Sequence, residues 1–239
     1  MSLSLFLVDD VPPSGLFELE GTEGHHAADV ARLRVGERVL LGDGAGTTAA
    51  AEVAAVSRGT VRFALMEREY ADPPRPRIVI AQGIPKGDRG ELAVQAMTEV
   101  GVDEIVPWAA SRCVTIWKGE RGLRSRDKWA ATAREAAKQS RRAWLPVVAE
   151  AAVTTKALAR RVTYVLHEEA TVPLTTVGLP SGDGDIVLVV GPEGGISDKE
   201  MAAFIEAGAV PVRLGDTVLR TSTAGVAAAS ILSMRLGRW

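Results

Sequence analysis

A proline-rich segment, DPPRP at residues 72–76, divides the sequence into two parts with different residue patterns. Proline cannot donate a backbone hydrogen bond and it restricts the residue before it, so we expect no strand or helix to run through this segment. A chain of 239 residues is long enough for two domains. We therefore predict one domain over residues 1–72 and a second domain over residues 73–239.

The part before the prolines has the pattern of short strands joined by turns rich in glycine and proline. Strands are predicted over residues 5–8, 16–19, 38–41, 49–56 and 61–66. One short helix is predicted from His25 to Arg34. Several short strands with such turns are typical of a small β-barrel.

The part after the prolines alternates strands and helices. Strands are predicted over residues 77–82, 105–107, 163–167, 186–190 and 211–214, and helices over residues 91–100, 127–142, 197–208 and 223–236. A capping box from Ser197 to Glu200 is predicted to begin the third of these helices. This alternation predicts an α/β fold with a mostly parallel sheet covered on both faces. By itself it favours an unknotted sheet, because knots are rare.

The charge is unevenly distributed, although the formal net charge is only -2. Residues 112–142 carry ten Lys or Arg and three Asp or Glu, whereas residues 1–72 carry six and twelve. A basic segment in an otherwise acidic chain predicts a polyanionic partner, and the alternative is a helix face that is only solvated.

The composition also limits the cellular location that we expect for the protein and the kinds of metal or disulfide site that it could contain. Cys113 is the only cysteine, so no intrachain disulfide can form and a reducing cytoplasm is expected. Neither it nor the three histidines have zinc-binding spacing, so we expect no metal. No apolar stretch reaches the roughly 18 residues of a membrane span, and the first residues are interpreted as a strand rather than a signal peptide.

Two polar loops, each following an apolar strand, form the candidate ligand site. The first is GPEGG at residues 191–195, and the second is GDTVLRTS at residues 215–222. Ligands of open α/β sheets bind at the carboxyl ends of the strands, where glycines let a backbone approach closely. The first loop has neither the G-x-G-x-x-G nor the P-loop pattern, which disfavours a dinucleotide or a nucleoside triphosphate. An ordinary turn and a serine or threonine helix cap are the structural alternatives.

The sequence resembles the RsmE family of RNA methyltransferases in an ordered set of motifs that covers nearly the whole chain. GPEGGIS (191–197) and LGDTVLRTSTA (214–224) resemble the end of that family that binds S-adenosylmethionine. The other similar motifs are HH (25–26), LRVG (33–36), DGAG (43–46), PKGDR (85–89), AMTEVGV (96–102), SRCV (111–114), KW (128–129) and EAAKQSRR (135–142). Each motif alone is weak, but the ordered set is specific.

This resemblance implies a PUA-like β-barrel followed by a SPOUT domain with a C-terminal trefoil knot, and a homodimer. It implies S-adenosylmethionine as cofactor and methylation of N3 of a uridine in 16S rRNA of the 30S subunit. The cofactor-binding residues that it implies are Leu166, His167, Gly191, Gly195, Ile196, Leu214, Leu219, Arg220, Thr221 and Ala224.

The resemblance also suggests roles in catalysis and RNA binding. Arg220 is expected to stabilise charge on the uracil, and Glu193 is a candidate base whose alternative role is to cap the next helix. Ser222 stands where the family often has an acidic residue, so no base is assigned to that position. The residues expected to contact rRNA phosphates are Arg112, Lys118, Arg121, Arg124, Arg134, Lys138, Arg141 and Arg142.

Three other functions are compatible with parts of the sequence. A related enzyme could methylate a ribose 2′-hydroxyl with the same cofactor loop. A barrel with a basic helix would suffice for a noncatalytic RNA-binding protein of ribosome assembly. A nicotinamide-dependent oxidoreductase is disfavoured because its glycine fingerprint is missing.

Overall fold

The structure, a computed structural model, describes residues 3–159, 162–180 and 182–239 and divides into two compact units. The first unit contains the described residues up to Pro73 together with Ala137–Leu145. The second unit contains Pro74–Ala136 and the described residues from Pro146 to Trp239.

The first unit is built on a five-stranded sheet. Its strands are β1 (Leu5–Leu7), β2 (Leu16–Leu19), β3 (Arg38–Gly42), β4 (Thr47–Ser57) and β5 (Thr60–Tyr70), in the order β1-β3-β4-β5-β2. The pair β1 and β3 is parallel, and the other pairs are antiparallel. Strands β1 and β2 therefore lie at the two edges.

The sheet of the first unit has one apolar face that forms a core. Residues of β4 alternate between buried and more exposed positions, with Ala49, Ala51 and Val53 buried, as expected for a strand with one covered face. Register shifts between Ala49 and Ala51 and between Val53 and Ala55 interrupt the pairing with β5. Such bulges bend a strand, which allows the sheet to curl around the core.

The helix predicted from His25 to Arg34 lies earlier in the structure. Helix α1 spans Gly21–His25 and continues as a π-helical turn over His26–Val30. A Cβ atom on Gly24 would lie 2.5 Å from the Leu19 carbonyl oxygen, so only glycine allows this close approach. The prediction was wrong at this end because glycine is a poor helix former when tertiary packing is not considered.

Residues Ala137–Leu145 pack within the first unit through backbone hydrogen bonds. The Leu145 N–H donates to the Gly44 carbonyl at 2.9 Å, and the Gly46 N–H donates to the Ala143 carbonyl at 3.0 Å. A Cβ atom on Gly46 would lie 2.8 Å from the ring of Trp144. The glycines of the DGAG motif thus provide room for this distant segment.

The second unit contains a six-stranded, fully parallel sheet. Its strands are β6 (Ile78–Gly83), β7 (Glu104–Trp108), β8 (Val147–Val148), β9 (Val162–Leu166), β10 (Ile186–Val190) and β11 (Val210–Val212), in the order β11-β9-β10-β6-β7-β8. Its helices are α2 (Arg89–Glu99), α3 (Gly119–Gln139, of which residues up to Ala136 belong to this unit), α4 (Thr155–Leu158), α5 (Asp198–Glu206) and α6 (Thr221–Arg235).

Both faces of the parallel sheet are covered, as the sequence predicts. On one face Ile80 packs in a core with Met97 of α2 and Leu232 of α6. On the other face Val187 packs in a core with Phe204 of α5. Burial on both faces explains why β6 and β10 are almost continuous apolar runs.

Three features of the second unit differ from the predicted elements. Helix α3 begins at Gly119, eight residues before the predicted start, because its first turns are exposed and carry no apolar repeat. Strand β8 and helix α4 were not predicted, since elements of two and four residues have no periodicity. The capping box of α5 is confirmed, with both reciprocal hydrogen bonds between Ser197 and Glu200.

In the described part of the chain, no helix combines the length and apolar character that crossing a bilayer requires. The same residues contain no group of three His, Cys, Asp or Glu side chains that could hold a metal ion.

Candidate functional site

The candidate site lies at the carboxyl ends of three neighbouring strands, β11, β9 and β10. Leu166 at the end of β9 pairs with Val212 at the end of β11, and Val165 pairs with Val189 of β10. The loops that follow these strands therefore leave the sheet side by side. They enclose a pocket of about 350 Å³, which lies within the size range of small-ligand sites.

The pocket brings together every residue predicted to hold a cofactor except Arg220. Those that line it are Leu166, His167, Gly191, Gly195, Ile196, Leu214, Leu219, Thr221 and Ala224. Sequence reasoning missed other lining residues, among them Glu168, Arg213 and Thr217. Polar residues in irregular loops carry no periodic signal, so only their position next to predicted strands could have indicated them.

The glycine loop folds tightly against the end of β6. A Cβ atom on Gly83 would lie 2.5 Å from the backbone nitrogen of Pro192, so the two backbones touch. A Cβ atom on Gly191 would lie 3.0 Å from the Ile196 side chain, and Gly195 has a φ of +72°. Glycine is needed at these positions for close approach and for the left-handed backbone.

The start of α6 is tied to the glycine loop by the Thr221 hydroxyl, which donates to the Gly191 carbonyl at 2.8 Å. The Gln82 side-chain amide donates to the same hydroxyl at 2.8 Å. Gln82 was not predicted as a site residue, because a lone amide within an apolar strand gives no motif.

The loop after β7 packs against the glycine loop from the other side. The guanidinium of Arg112 donates to the carbonyls of Gly194 at 3.3 Å and Ile196 at 3.4 Å. The sequence predicts Arg112 as an RNA phosphate contact, but the structure places it in the lining of the pocket, before α3 begins. For an exposed, charged residue outside a helix, the sequence does not distinguish a place in the pocket lining from a place on an RNA-binding surface.

The carboxylate of Glu200 connects this loop to α5. It accepts the N–H and hydroxyl of Ser111 as well as the N–H of Ser197. Burial of Glu200 raises the pKa of its carboxyl, but the hydrogen bonds from Ser197 and Ser111 outweigh burial, and the pKa lies below its usual value. The carboxylate is thus held in its ionised form.

Glu193 lines the pocket and does not cap α5. Its Oε1 atom accepts the Lys86 N–H at 3.2 Å and lies 3.3 Å from the guanidinium of Arg89. The structural alternative, a cap on the next helix, is wrong, because Ser197 is the N-cap of α5. Glu193 instead connects the glycine loop to the loop between β6 and α2.

Arg220 is the predicted site residue that the structure does not bring into the pocket. It is the N-cap residue of α6, its carbonyl accepts the N–H groups of Thr223 and Ala224, and it is exposed. It does not line the pocket, although Leu219 and Thr221 on either side of it do. Arg220 therefore lies beside the pocket lining, and its contact with a cofactor stays a prediction.

Most of the predicted RNA-binding residues are exposed. Lys118 precedes α3, and Arg121, Arg124 and Arg134 are exposed on it. In the first unit Arg141 is exposed and Arg142 is half-buried.

Lys138 corrects the prediction of an RNA contact. Its side chain is only 8% exposed, and its ammonium lies 2.9 Å from the Glu23 carboxylate. A buried, paired ammonium cannot reach a phosphate without breaking that pair, so Lys138 stabilises the first unit. The helical repeat alone predicts Lys138 on the basic face, because the periodicity of a sequence does not show which residues are buried by tertiary packing.

Comparison with known proteins identifies the family. The model of the RNA methyltransferase domain matches residues 72–233, and the model of the RNA methyltransferase PUA domain matches residues 19–65. A ribosomal RNA small subunit methyltransferase E from Mycobacterium bovis is 43% identical, over 100% of this chain and 94% of that protein. The chain belongs to the ribosomal RNA small subunit methyltransferase E family.

Further members of the methyltransferase E family extend the similarity. One from Bacillus subtilis is 31% identical over 91% of this chain and 89% of its own length. A crystal structure of one from Neisseria gonorrhoeae, bound to S-adenosyl methionine, is 26% identical with a TM-score of 0.87 and covers 98% of both chains. The resemblance drawn from the sequence motifs is thus confirmed, and the first unit contains a PUA-like domain.

Proposed function

We propose that this chain is an S-adenosylmethionine-dependent methyltransferase that methylates N3 of a uridine in 16S rRNA. The observation that carries the proposal is the convergence of the glycine loop and the hydroxyl-rich loop on one pocket. These are the two segments that resemble the cofactor-binding end of the family, and the strand order brings them together from about twenty residues apart in sequence.

The pocket fits S-adenosylmethionine in its size and in the kind of groups that line it. Gly191, Gly195 and Gly215 leave main-chain atoms accessible for the polar parts of a nucleoside, while Leu166 and Leu214 offer apolar surface. The Neisseria relative, which covers almost the whole chain, was crystallised with this cofactor. We assign cofactor binding to the predicted residues that line the pocket, from Leu166 to Ala224.

In the proposed reaction the cofactor supplies an activated methyl group, and the chain supplies binding and orientation. As the N3 proton leaves, negative charge develops on the uracil. N3 then forms a bond to the methyl carbon while the bond between that carbon and the sulfonium sulfur breaks, and S-adenosylhomocysteine leaves. Glu193 is the proposed acceptor of that proton, because its carboxylate lies in the pocket lining. Arg220 is proposed to stabilise the charge on the uracil from beside the pocket.

The acceptor uridine is expected to be unpaired or flipped out, because N3 is engaged in a Watson–Crick pair. We propose that Lys118, Arg121, Arg124 and Arg134 bind rRNA phosphates from the second unit. Arg141 and Arg142 are proposed as further contacts from the first unit. Residues 1–72, with their acidic charge, are proposed to position RNA by shape rather than by general attraction to phosphate.

The topology also supports a trefoil knot in the SPOUT domain, residues 73–239. After β11 at the edge of the sheet, the chain returns to α6, which packs on β10 and β6. The first residue of α6, Thr221, bonds to the glycine loop on the way. Threading of this segment under that loop is the finer fold that we propose, and tracing the chain in a crystal structure tests it.

Three further properties belong to the same proposal. A homodimer would be measured as twice the mass of 25.3 kDa by light scattering. Action on the 30S particle would be measured by comparing that particle with naked 16S rRNA as substrate. Both substrates, and the single cysteine, fit a location in the cytoplasm.

The decisive experiment measures methyl transfer to 16S rRNA and to 30S particles from a strain that lacks the modification. Digestion to nucleosides and mass spectrometry are expected to yield N3-methyluridine. A 2′-O-methylated nucleoside would contradict the base position, and binding without transfer would support a noncatalytic protein. Ala224→Leu, which fills the pocket, is expected to abolish transfer, whereas Ala227→Leu on the same helix outside the pocket lining is the matched control.

A further inference from the structure

One glutamine is fully buried in a strand that is otherwise apolar. Gln82 has an exposed fraction of 0% near the carboxyl end of β6, after the apolar run from Ile78 to Ala81. A buried amide is costly unless its polar atoms are hydrogen bonded. An apolar residue would fill this position in the sheet at lower cost, so the amide points to a role beyond the fold.

Which group donates and which accepts in the hydrogen bonds around Gln82 follows from the number of protons that each group carries. Its Nε2 atom donates to the Gly83 carbonyl at 3.1 Å and to the Thr221 hydroxyl at 2.8 Å. The Thr221 hydroxyl has one proton, and it donates that proton to the Gly191 carbonyl at 2.8 Å. Because both carbonyls can only accept, the Thr221 oxygen must accept from Gln82.

The acceptor oxygen of the same amide has no hydrogen-bond partner in the part of the chain that the structure describes. Gln82 Oε1 is buried and makes no hydrogen bond to any described residue. Turning the amide over would withdraw its donor from both the Gly83 carbonyl and the Thr221 hydroxyl, and Oε1 could then accept a hydrogen bond only if Thr221 gave up its bond to the Gly191 carbonyl. The amide therefore tolerates an unsatisfied acceptor in order to keep its donor on Thr221.

The hydrogen-bonded chain from Gln82 through Thr221 to Gly191 joins three segments that meet at the pocket. Gln82 pairs with Val190 in the sheet, one residue before Gly191. Thr221 begins α6, and both it and Gly191 line the pocket, whereas Gln82 does not. The side-chain amide of Gln82 therefore reaches the pocket lining through Thr221.

We propose that Gln82 is a positioning residue for the cofactor pocket: its amide holds the Thr221 hydroxyl on the Gly191 carbonyl and so sets the spacing of the two cofactor loops. The identity of the ligand rests on the proposed function. Loss of the amide loosens the junction between α6 and the glycine loop. It is expected to raise the KM for S-adenosylmethionine more than it lowers kcat, because Gln82 does not touch the reacting atoms.

The test uses the whole chain and measures affinity for S-adenosylmethionine and S-adenosylhomocysteine by calorimetry. Gln82→Met keeps the length of the side chain without its hydrogen bonds, and Thr221→Val keeps the shape of threonine without its hydroxyl. Each is expected to weaken binding about tenfold, the effect of one hydrogen bond. The double variant is expected to bind no more weakly than the weaker single variant, because both break the same connection.

Two comparisons separate positioning from a general loss of structure. Thr221→Ser restores the hydroxyl and is expected to bind more tightly than Thr221→Val. Thr98→Val removes a buried hydroxyl from α2, where it donates to the Val94 carbonyl, and is expected to leave affinity unchanged. Should Gln82→Met fail to fold, Gln82→Leu takes its place, because it also lacks hydrogen-bonding groups and adds no charge to the buried position.

The proposal would be overturned if a folded Gln82 variant bound S-adenosylmethionine with wild-type affinity. It would also be overturned if the losses of binding free energy in the two single variants added in the double variant. A second measurement needs no ligand: the carbon-13 shift of the Gly191 carbonyl is expected to move in the same direction in Gln82→Met and Thr221→Val, and not in Thr98→Val. If the wild type bound neither cofactor nor product, the proposed function would fail instead. The Gly191 shift would still decide whether Gln82 controls the Thr221 hydrogen bond.

Discussion

Ser111 donates two hydrogen bonds to Glu200, from its backbone N–H to Oε1 at 2.7 Å and from its hydroxyl to Oε2 at 2.9 Å. The same carboxylate closes the capping box with Ser197. The Glu200 carboxylate thus connects the loop after β7 to the start of α5. Arg112, which follows Ser111 in that loop, in turn donates a hydrogen bond to the glycine loop.

Glu200 is expected to make the free energy of unfolding depend on pH. Its folded pKa lies below the ordinary value of 4.5, so its contribution is complete above that value and is lost as the pH falls through the folded pKa. Glu200→Gln is expected to lower the free energy of unfolding near neutral pH by about 1–3 kcal/mol. As the pH falls below 4.5 and through the folded pKa, the variant and the wild type are expected to converge.

Urea denaturation across this pH range measures the effect. Glu206→Gln is the matched control, because Glu206 is an exposed residue at the end of the same helix. A constant difference between Glu200→Gln and the wild type at every pH would contradict the assignment of the pH dependence to Glu200.

Gly83→Ala is expected to displace the glycine loop, because its Cβ would lie 2.5 Å from the Pro192 nitrogen and 2.8 Å from the Gly191 carbonyl carbon. Neither backbone atom can move without shifting the pocket. The expected result is a loss of about 1–3 kcal/mol in the free energy of unfolding, together with weaker binding of S-adenosylmethionine. Gly184→Ala, whose Cβ would meet no atom within 4 Å, is expected to change neither quantity.

Lys138→Ala is expected to destabilise the protein without a direct effect on RNA contacts. Removing the ammonium leaves the Glu23 carboxylate, which is 18% exposed, without this ion pair. Breaking a largely buried pair costs about 3 kcal/mol, measured by chemical denaturation. Arg134→Ala, on an exposed position of α3, is expected to keep its stability, and equal destabilisation of the two variants would contradict this distinction.

Charge reversal on α3 is expected to weaken RNA binding and to reduce its dependence on salt. In Arg121→Glu with Arg134→Glu, two proposed phosphate contacts are lost, so the slope of log affinity against log salt should fall in magnitude by about one to two. Filter binding or fluorescence anisotropy at several salt concentrations measures it. Lys156→Glu on α4 is the control, and an unchanged slope in the double variant would remove α3 from the RNA-binding surface.

Glu193→Gln tests the proposed proton acceptor. The amide oxygen can still accept the Lys86 N–H, so the pocket and the affinity for cofactor should be retained. Loss of a general base is expected to lower kcat by about 100-fold or more. A kcat and pH profile like those of the wild type would show that Glu193 serves only to connect the two loops.

Much of the second unit could be predicted from sequence because its signals are local. The apolar run of β10, the capping box of α5 and the loop glycines each depend on residues close in the chain. The resemblance then connected the glycine loop to the loop before α6, and all but one of the predicted cofactor residues line the pocket.

The positions of other residues could not be predicted from the sequence, because they depend on distant contacts. Lys138 repeats with the exposed basic residues of α3, yet the first unit buries it against Glu23. Arg112 belongs to a basic segment by composition, but its guanidinium donates to carbonyls of the glycine loop. Arg220 lies between two pocket residues in sequence and remains exposed, since it caps a helix whose next residue enters the pocket.

The amino-acid sequence alone determined the order of strands and helices, the division at the prolines as a prediction, and the family, since these follow from local patterns and ordered motifs. The tertiary structure alone decided which polar groups meet. Gln82 and Thr221 are 139 residues apart, and Ser111 and Glu200 are 89 apart. Hydrogen bonds between such distant residues form only because the parallel sheet brings the ends of its strands together. The periodicity of the sequence does not show which strand ends become neighbours.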